Sequence, residues 1–127
     1  MEATRELKNE DFYKIALRET EQYNKLSESR RQFLEAFLIL FIHHDFVRDK
    51  NKNFAETYNC AEKTVERYFC DLRLAKIIEQ KISAPMVDGK YMTSRIMWMN
   101  SLLKAKIQAR AKELKEEYKK CSGGSLW

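Results

Sequence analysis

Between Lys63 and Arg73 the chain carries side chains suited to a polyanion. Lys63 and Arg67 stand one helical turn apart, Thr64 and Tyr68 each follow by one residue, and Arg73 lies further along. Ammonium and guanidinium groups reach phosphate oxygens or the acceptor edges of bases, and a hydroxyl donates to phosphate. Val65, Phe69 and Leu72 give the same segment an apolar side at helical spacing. Lys63, Thr64 and Arg67 are expected on the opposite face, with Tyr68 beside them to pack on a sugar–phosphate backbone. The alternative is an ordinary solvated face. Against it, the i, i+4 pairs Lys63–Arg67 and Glu62–Glu66 join like charges and add nothing to helix stability. Lys81, Lys90 and Arg95 follow in a stretch of strand character and could extend the basic surface, or simply discourage edge-to-edge pairing.

Other chemistries find little support. His43-His44-Asp45 could suggest a metal, but there is no Cys-x-x-Cys or His-x-x-x-His to complete a ligand set. Adjacent helical residues also diverge by about 100°. Cys60, Cys70 and Cys121 have no framework spacing and read as reduced thiols. With Gly 3 in the whole chain, a phosphate-cradling glycine loop is not expected. No paired-carboxylate or Ser/His/Asp set stands out. The expectation is a protein that is not an enzyme and needs no metal or cofactor.

The chain has 127 residues, of which 44% are hydrophobic, enough for one domain with a real core. Its net charge of +5 suits a polyanionic partner. The first residues lack the apolar core of a signal peptide. The most apolar run, from Phe33 to Val47, is too short for a bilayer and contains Glu35, His43, His44 and Asp45. A soluble cytoplasmic protein with no membrane partner is expected.

The elements that position the cations can be read in order. Phe12, Ile15 and Ala16 mark a helix over about 9–24, with Asn9 as its cap. Leu26-Ser27-Glu28-Ser29 breaks the chain, and Ser27 or Ser29 can cap the next helix. Phe33, Leu34, Phe37, Leu38, Phe41 and Ile42 then recur at helical intervals from Arg30 to Val47. Ala36, Ile39, Leu40 and Phe46 widen that stripe to most of the circumference, which predicts a buried central helix. Asn53 and Glu56 match a capping box for a short helix, and Asn59 suits a left-handed turn. A further helix is predicted over about 61–75. Strands are expected at Lys76–Ile82 and Tyr91–Met99, joined by a loop holding Pro85 and Asp88-Gly89. Ser101 is the expected cap of a last helix to about Cys121, striped by Leu103, Ile107, Leu114 and Tyr118. Residues 122–127 read as a flexible end.

A short helix, a polar turn and a second helix with an outward polar face form a helix-turn-helix pattern. The run from Phe54 to Leu72 resembles the winged-helix family. Ala55 stands for the small residue where two helices cross, Thr64-Val65 opens the recognition helix, and Leu74-Ala75-Lys76-Ile77-Ile78 leads into a wing strand. The resemblance spans about Ser27 to Met99. It implies a mainly α fold with a small β-hairpin, a winged helix-turn-helix over 1–100, plus a C-terminal helix over 101–121. Within winged helices the layout is similar to the N-terminal domains of plasmid replication initiators and phage replisome organisers, through Asp11-Phe-Tyr-Lys-Ile15, Leu26-Ser27 and Gly89-Lys90 ahead of Arg95. That likeness implies sequence-specific binding of double-stranded DNA in replication initiation or transcriptional regulation of a mobile element or bacterium. It also implies a protein partner from the same machinery. The terminal stripe Leu103, Ile107, Leu114 and Tyr118 either folds back on its own domain or seats a second copy; the second is the expectation, giving a homodimer. One departure is Ala61, where the family pattern has a capping Ser or Thr; a missing cap costs ~1 kcal/mol. The rival reading is a winged helix that binds protein rather than DNA, favoured by Glu62, Glu66 and Asp71 on the recognition helix.

Overall fold

Thr20 divides the first predicted helix in two. In the computed structural model, which describes residues 8–84, 86–91 and 94–123, α1 spans Asn9–Arg18 and α2 spans Glu21–Asn24. The buried Thr20 hydroxyl donates to the Leu17 carbonyl at 2.6 Å and accepts from the Tyr23 N–H at 3.4 Å. One side chain thus ends α1 and caps α2. Asn9, the expected cap, is instead the first residue of α1. At that end the Lys8 N–H donates to the Asp11 carboxylate at 2.8 Å.

The central helix, α3, spans Glu28–His43, with Ser27 in the cap position. Phe33, Leu34, Phe37, Leu38, Phe41 and Ile42 are all buried. Ala36, however, is exposed, so the apolar surface does not encircle the helix. The helix also stops short of Val47. That β-branched residue finds a ladder partner: its N–H donates to Met97 at 2.7 Å and its carbonyl accepts from Met97 at 2.9 Å.

The next helix, α4, spans Asn51–Tyr58. The predicted capping box is absent because Asn53 lies inside the helix, its N–H donating to the Lys50 carbonyl at 2.9 Å. Asn59 is left-handed (φ 58°, ψ 57°), as its type suggested. After this turn, α5 runs over Glu62–Leu74. Its end is a left-handed Lys76 (φ 62°), whose N–H donates to Arg73 while that of Ile77 donates to Leu72 at 2.9 Å. This Schellman closure turns the chain sharply into the sheet.

The wing is a twisted antiparallel pair. Strand β1 (Ile78–Ser83) pairs with β4 (Ser94–Met99), placing Ile78 opposite Met99 and Ser83 opposite Ser94. Farther out, β2 (Met86–Val87) pairs with β3 (Lys90–Tyr91). Asp88 (φ 51°) and Gly89 (φ 76°) supply the two positive φ angles of a type I′ turn. The bridge from Val47 to Met97 adds a third extended segment beside β4. Pro85, expected in the loop, and Met92 and Thr93, expected in the strand, lie outside the described residues, as do residues 124–127 of the expected flexible end.

The last helix, α6, spans Ser101–Gly123, longer than predicted. Its cap is Asn100 rather than Ser101: the Asn100 side-chain oxygen accepts from the Leu103 N–H at 3.1 Å. The chain is thus mainly α with a small β-hairpin, a winged helix-turn-helix plus a C-terminal helix.

The stripe expected at a dimer seam is closed by the same chain. Leu103 and Ile107 are 2% and 0% exposed. Leu114 and Tyr118 are partly buried against the core, and the Tyr118 ring meets Phe12 edge-on at 5.6 Å. Arg110 also bonds Glu19 across the two helices at 2.8 Å. The physical reason is that α1 has its own apolar face, Phe12, Ala16 and Leu17, which α6 covers. Ile107→Asp should therefore unfold the domain, at a cost of roughly 3–5 kcal/mol for an unpaired buried charge. Urea denaturation checks this; a near-native midpoint would mean that α6 is not part of the core.

A second tie locks α1 and α2 onto α3. The Arg18 guanidinium donates to Glu35 at 2.6 Å, and the Tyr23 hydroxyl donates to the same carboxylate. The Arg18 hydrogen bond, opposed by burial and aided by Tyr23, holds Glu35 below the ordinary carboxyl range. Its unfolded pKa is then the higher one. Its stabilisation is complete above that value and is lost as pH falls through the folded value. Thermal melts between about pH 6 and about pH 3 should show a steeper loss in the native chain than in Glu35→Gln. Parallel curves would exclude this carboxylate as a source of acid sensitivity.

Candidate nucleic-acid interface

The outward face of α5 is set by what its inward face touches. Val65, Phe69 and Leu72 are at most 1% exposed. The Phe69 ring meets Phe33 at 5.2 Å and Phe54 at 4.9 Å, so α5 is held by both α3 and α4. At about 100° per residue, Lys63, Arg67 and Cys70 then fall on the far side. All three are exposed. With Glu66 and Asp71 they line a shallow groove of about 370 Å³.

The structure divides the predicted contact residues into two sets. Lys63 and Arg67 project outward, with half-buried Thr64 at the margin. On the wing, Lys81 and Lys90 are exposed on β1 and β3. Tyr68, Arg73 and Arg95 have other work. Tyr68 leans toward the core, its ring 5.0 Å from Phe33 and covered by the Arg30 guanidinium at 5.0 Å. Helical rotation brings it nearer Phe69 and Leu72 than the outward face. Arg73 turns toward the sheet and donates to the Gln80 side chain at 3.1 Å. Arg95 turns inward as well. It donates to the Asn51 side chain at 2.7 Å and the Asp49 carbonyl at 2.8 Å, and lies over the Phe69 ring at 5.7 Å. Burial, and then the nearby Arg73 charge, lower its pKa from the ordinary value. It ties the wing to the start of α4 and is not a free wing cation.

Arg30 was not visible as part of this site. It bonds Asp71 at 2.7 Å across 41 positions of sequence. Nothing local marks such a pair, since Arg30 reads as an ordinary first-turn residue. Its effect on the site is electrostatic as well as positional. The Asp71 carboxylate has a matching cation, so its repulsion of a phosphate is reduced. Glu62 and Glu66 remain exposed on the side of α5 that carries Arg73. At the start of the helix, Ala61 offers no side-chain acceptor to the free N–H groups.

The other candidate chemistries look different in three dimensions. His43 meets the Tyr13 ring edge-on at 6.1 Å, while His44 is beyond the helix end. No group of three His, Cys, Asp or Glu among the described residues could hold a metal ion. Cys60 is half-buried and Cys70 exposed. Among the described residues no helix is long and apolar enough to cross a membrane.

No protein-family model matches the chain, and no curated protein matches it. Among solved structures it is similar to a possible transcriptional regulator from Methanosarcina mazei Go1, at 21% identity. The match covers 97% of this chain and 96% of that one, with a TM-score of 0.45. So loose a superposition transfers no role, and the function rests on the residues themselves.

Arg95→Ala should lower stability by about 1.5–3 kcal/mol through loss of charge-assisted bonds to the connector. Lys63→Ala and Arg67→Ala should stay within about 0.5 kcal/mol of the native chain, as exposed substitutions do. Chemical denaturation of the three variants checks the division. Equal stabilities would return Arg95 to the surface set.

Proposed function

We propose that this protein binds double-stranded DNA, with α5 in the major groove and the wing against the flanking backbone. The observation that carries the reading is the outward projection of Lys63 and Arg67 from a helix whose opposite face is locked by Phe69 in an aromatic core. A reading element must be rigid behind and cationic in front, and α5 has both properties. Lys81 and Lys90 extend the positive surface along the wing toward phosphates. The uncapped start of α5 adds free N–H donors at one end of the surface. Sequence-specific binding in transcriptional regulation or replication initiation is the role that such a surface serves, and cytoplasmic placement fits it.

The rival is a winged helix that docks on protein. Exposed Glu62, Glu66 and Leu74, the last 76% accessible, favour it. Salt separates the two readings, because phosphate contacts release counterions and apolar docking does not.

On a duplex chosen from random sequence, Arg67→Ala should weaken binding by roughly 1–3 kcal/mol and lower discrimination at one position. Fluorescence anisotropy across a salt series measures both. Unchanged affinity would remove Arg67 from the readout. Affinity insensitive to salt, or no selected duplex at all, would favour the protein-docking reading.

A further inference from the structure

The outer face of the wing sheet carries a second surface, separate from α5. Val47 is buried and bridged to Met97, so alternation about it turns Phe46 and Arg48 outward. Phe46 is 59% exposed although it is one of the largest apolar side chains in the molecule. Its ring meets Trp98 edge-on at 6.0 Å. The Trp98 indole is fixed in turn, because its Nε1–H donates to the Glu79 carboxylate at 2.8 Å. Asn100 donates to the other Glu79 oxygen at 2.8 Å. Next along the same face, Lys81 pairs with Ile96 in the ladder and is exposed, as is Arg48.

An exposed ring held by a rigid neighbour, with cations beside it, is the arrangement on which unpaired bases stack while their phosphates find positive charge. We propose that this face, Phe46 and Trp98 flanked by Arg48 and Lys81, binds single-stranded nucleic acid. Charge selects this occupant over an apolar protein segment. The face has two cations, Arg48 and Lys81, with no ion pair among the described residues, against one carboxylate, Glu79, which two neutral donors orient but do not neutralise, so its net charge stays positive. Duplex DNA does not suit the face, because its bases are stacked inside and offer no π-surface to Phe46. The two surfaces share Lys81, but the stacking pair Phe46 and Trp98 does not depend on the duplex reading of α5, and either reading can fail alone.

The probe is an oligothymidylate, and the reporter is Trp98 emission in a Trp127→Phe chain, where Trp98 is the only tryptophan. Saturable, salt-sensitive quenching is expected below ~0.1 mM. Phe46→Ala should weaken it about tenfold, Phe46→Tyr should restore it, and Arg67→Ala should leave it within about twofold. Phe46 is exposed enough for its alanine variant to keep the native melting curve, which is measured alongside. Absence of quenching overturns the proposal and leaves the face to a protein partner. Equal binding by Phe46→Ala, or loss on Arg67→Ala, also overturns it, since the strand would then lie on α5.

Discussion

Edge-to-face packing of Phe33 against Phe37, Tyr58 and Phe69, at 5.0–5.2 Å between ring centres, joins α3, α4 and α5 into one block. Phe54 closes the cluster from α4, 4.9 Å from both Phe37 and Phe69. Each buried ring contributes about 1.5–3 kcal/mol from area alone, and the edge-to-face geometry adds directional preference. Because Phe69 is in this cluster, the rotation of α5 about its own axis is fixed. Which cations face solvent is therefore a consequence of core packing, and the surface cannot be redrawn without disturbing the rings.

The polar contacts refine that arrangement instead of creating it. Arg30 bridges to Asp71 and covers Tyr68, which ties α3 to α5 from the outside. On the other flank Arg95 ties β4 to the start of α4, and Arg73 ties α5 to β1. These arginines surround α5, yet their charges are spent on the protein's own carbonyl, amide and carboxylate groups. The surface left for a ligand is narrower than the number of cations in the chain suggests. The same holds for α6, where Arg110 meets Glu19, Glu113 and Glu117.

Much of this was legible from spacing. The intervals from Phe33 to Ile42 mark α3, Val65, Phe69 and Leu72 mark α5, and Asn59 marks the turn between its neighbours. Contacts local in sequence leave a periodic trace. The features that were not legible depend on partners far away in the chain. Tyr68 looks amphipathic and free until Phe33 lies beneath it. Arg95 looks like a wing cation until Asn51, 44 positions earlier, accepts its N–H. Val47 ends a run that reads as helix, and only Met97 explains why it is extended. The stripe on α6 was visible, but whether a second copy or α1 covers it depends on the spare apolar face of α1. The caps of α1, α4 and α6 are Lys8, Lys50 and Asn100 rather than Asn9, Asn53 and Ser101, and the two lysines have no side-chain acceptor that would mark a helix start in the sequence.

The proposed duplex site is the outward face of α5 together with the wing. Amide chemical-shift mapping of the isotope-labelled protein during titration with a selected duplex tests it directly. The largest, salt-sensitive shifts are expected to cluster from Lys63 to Arg67 and at Lys81 and Lys90, with α1 and α6 nearly still. Shifts concentrated on α1 and α6, or a spectrum unmoved by the duplex, would contradict it.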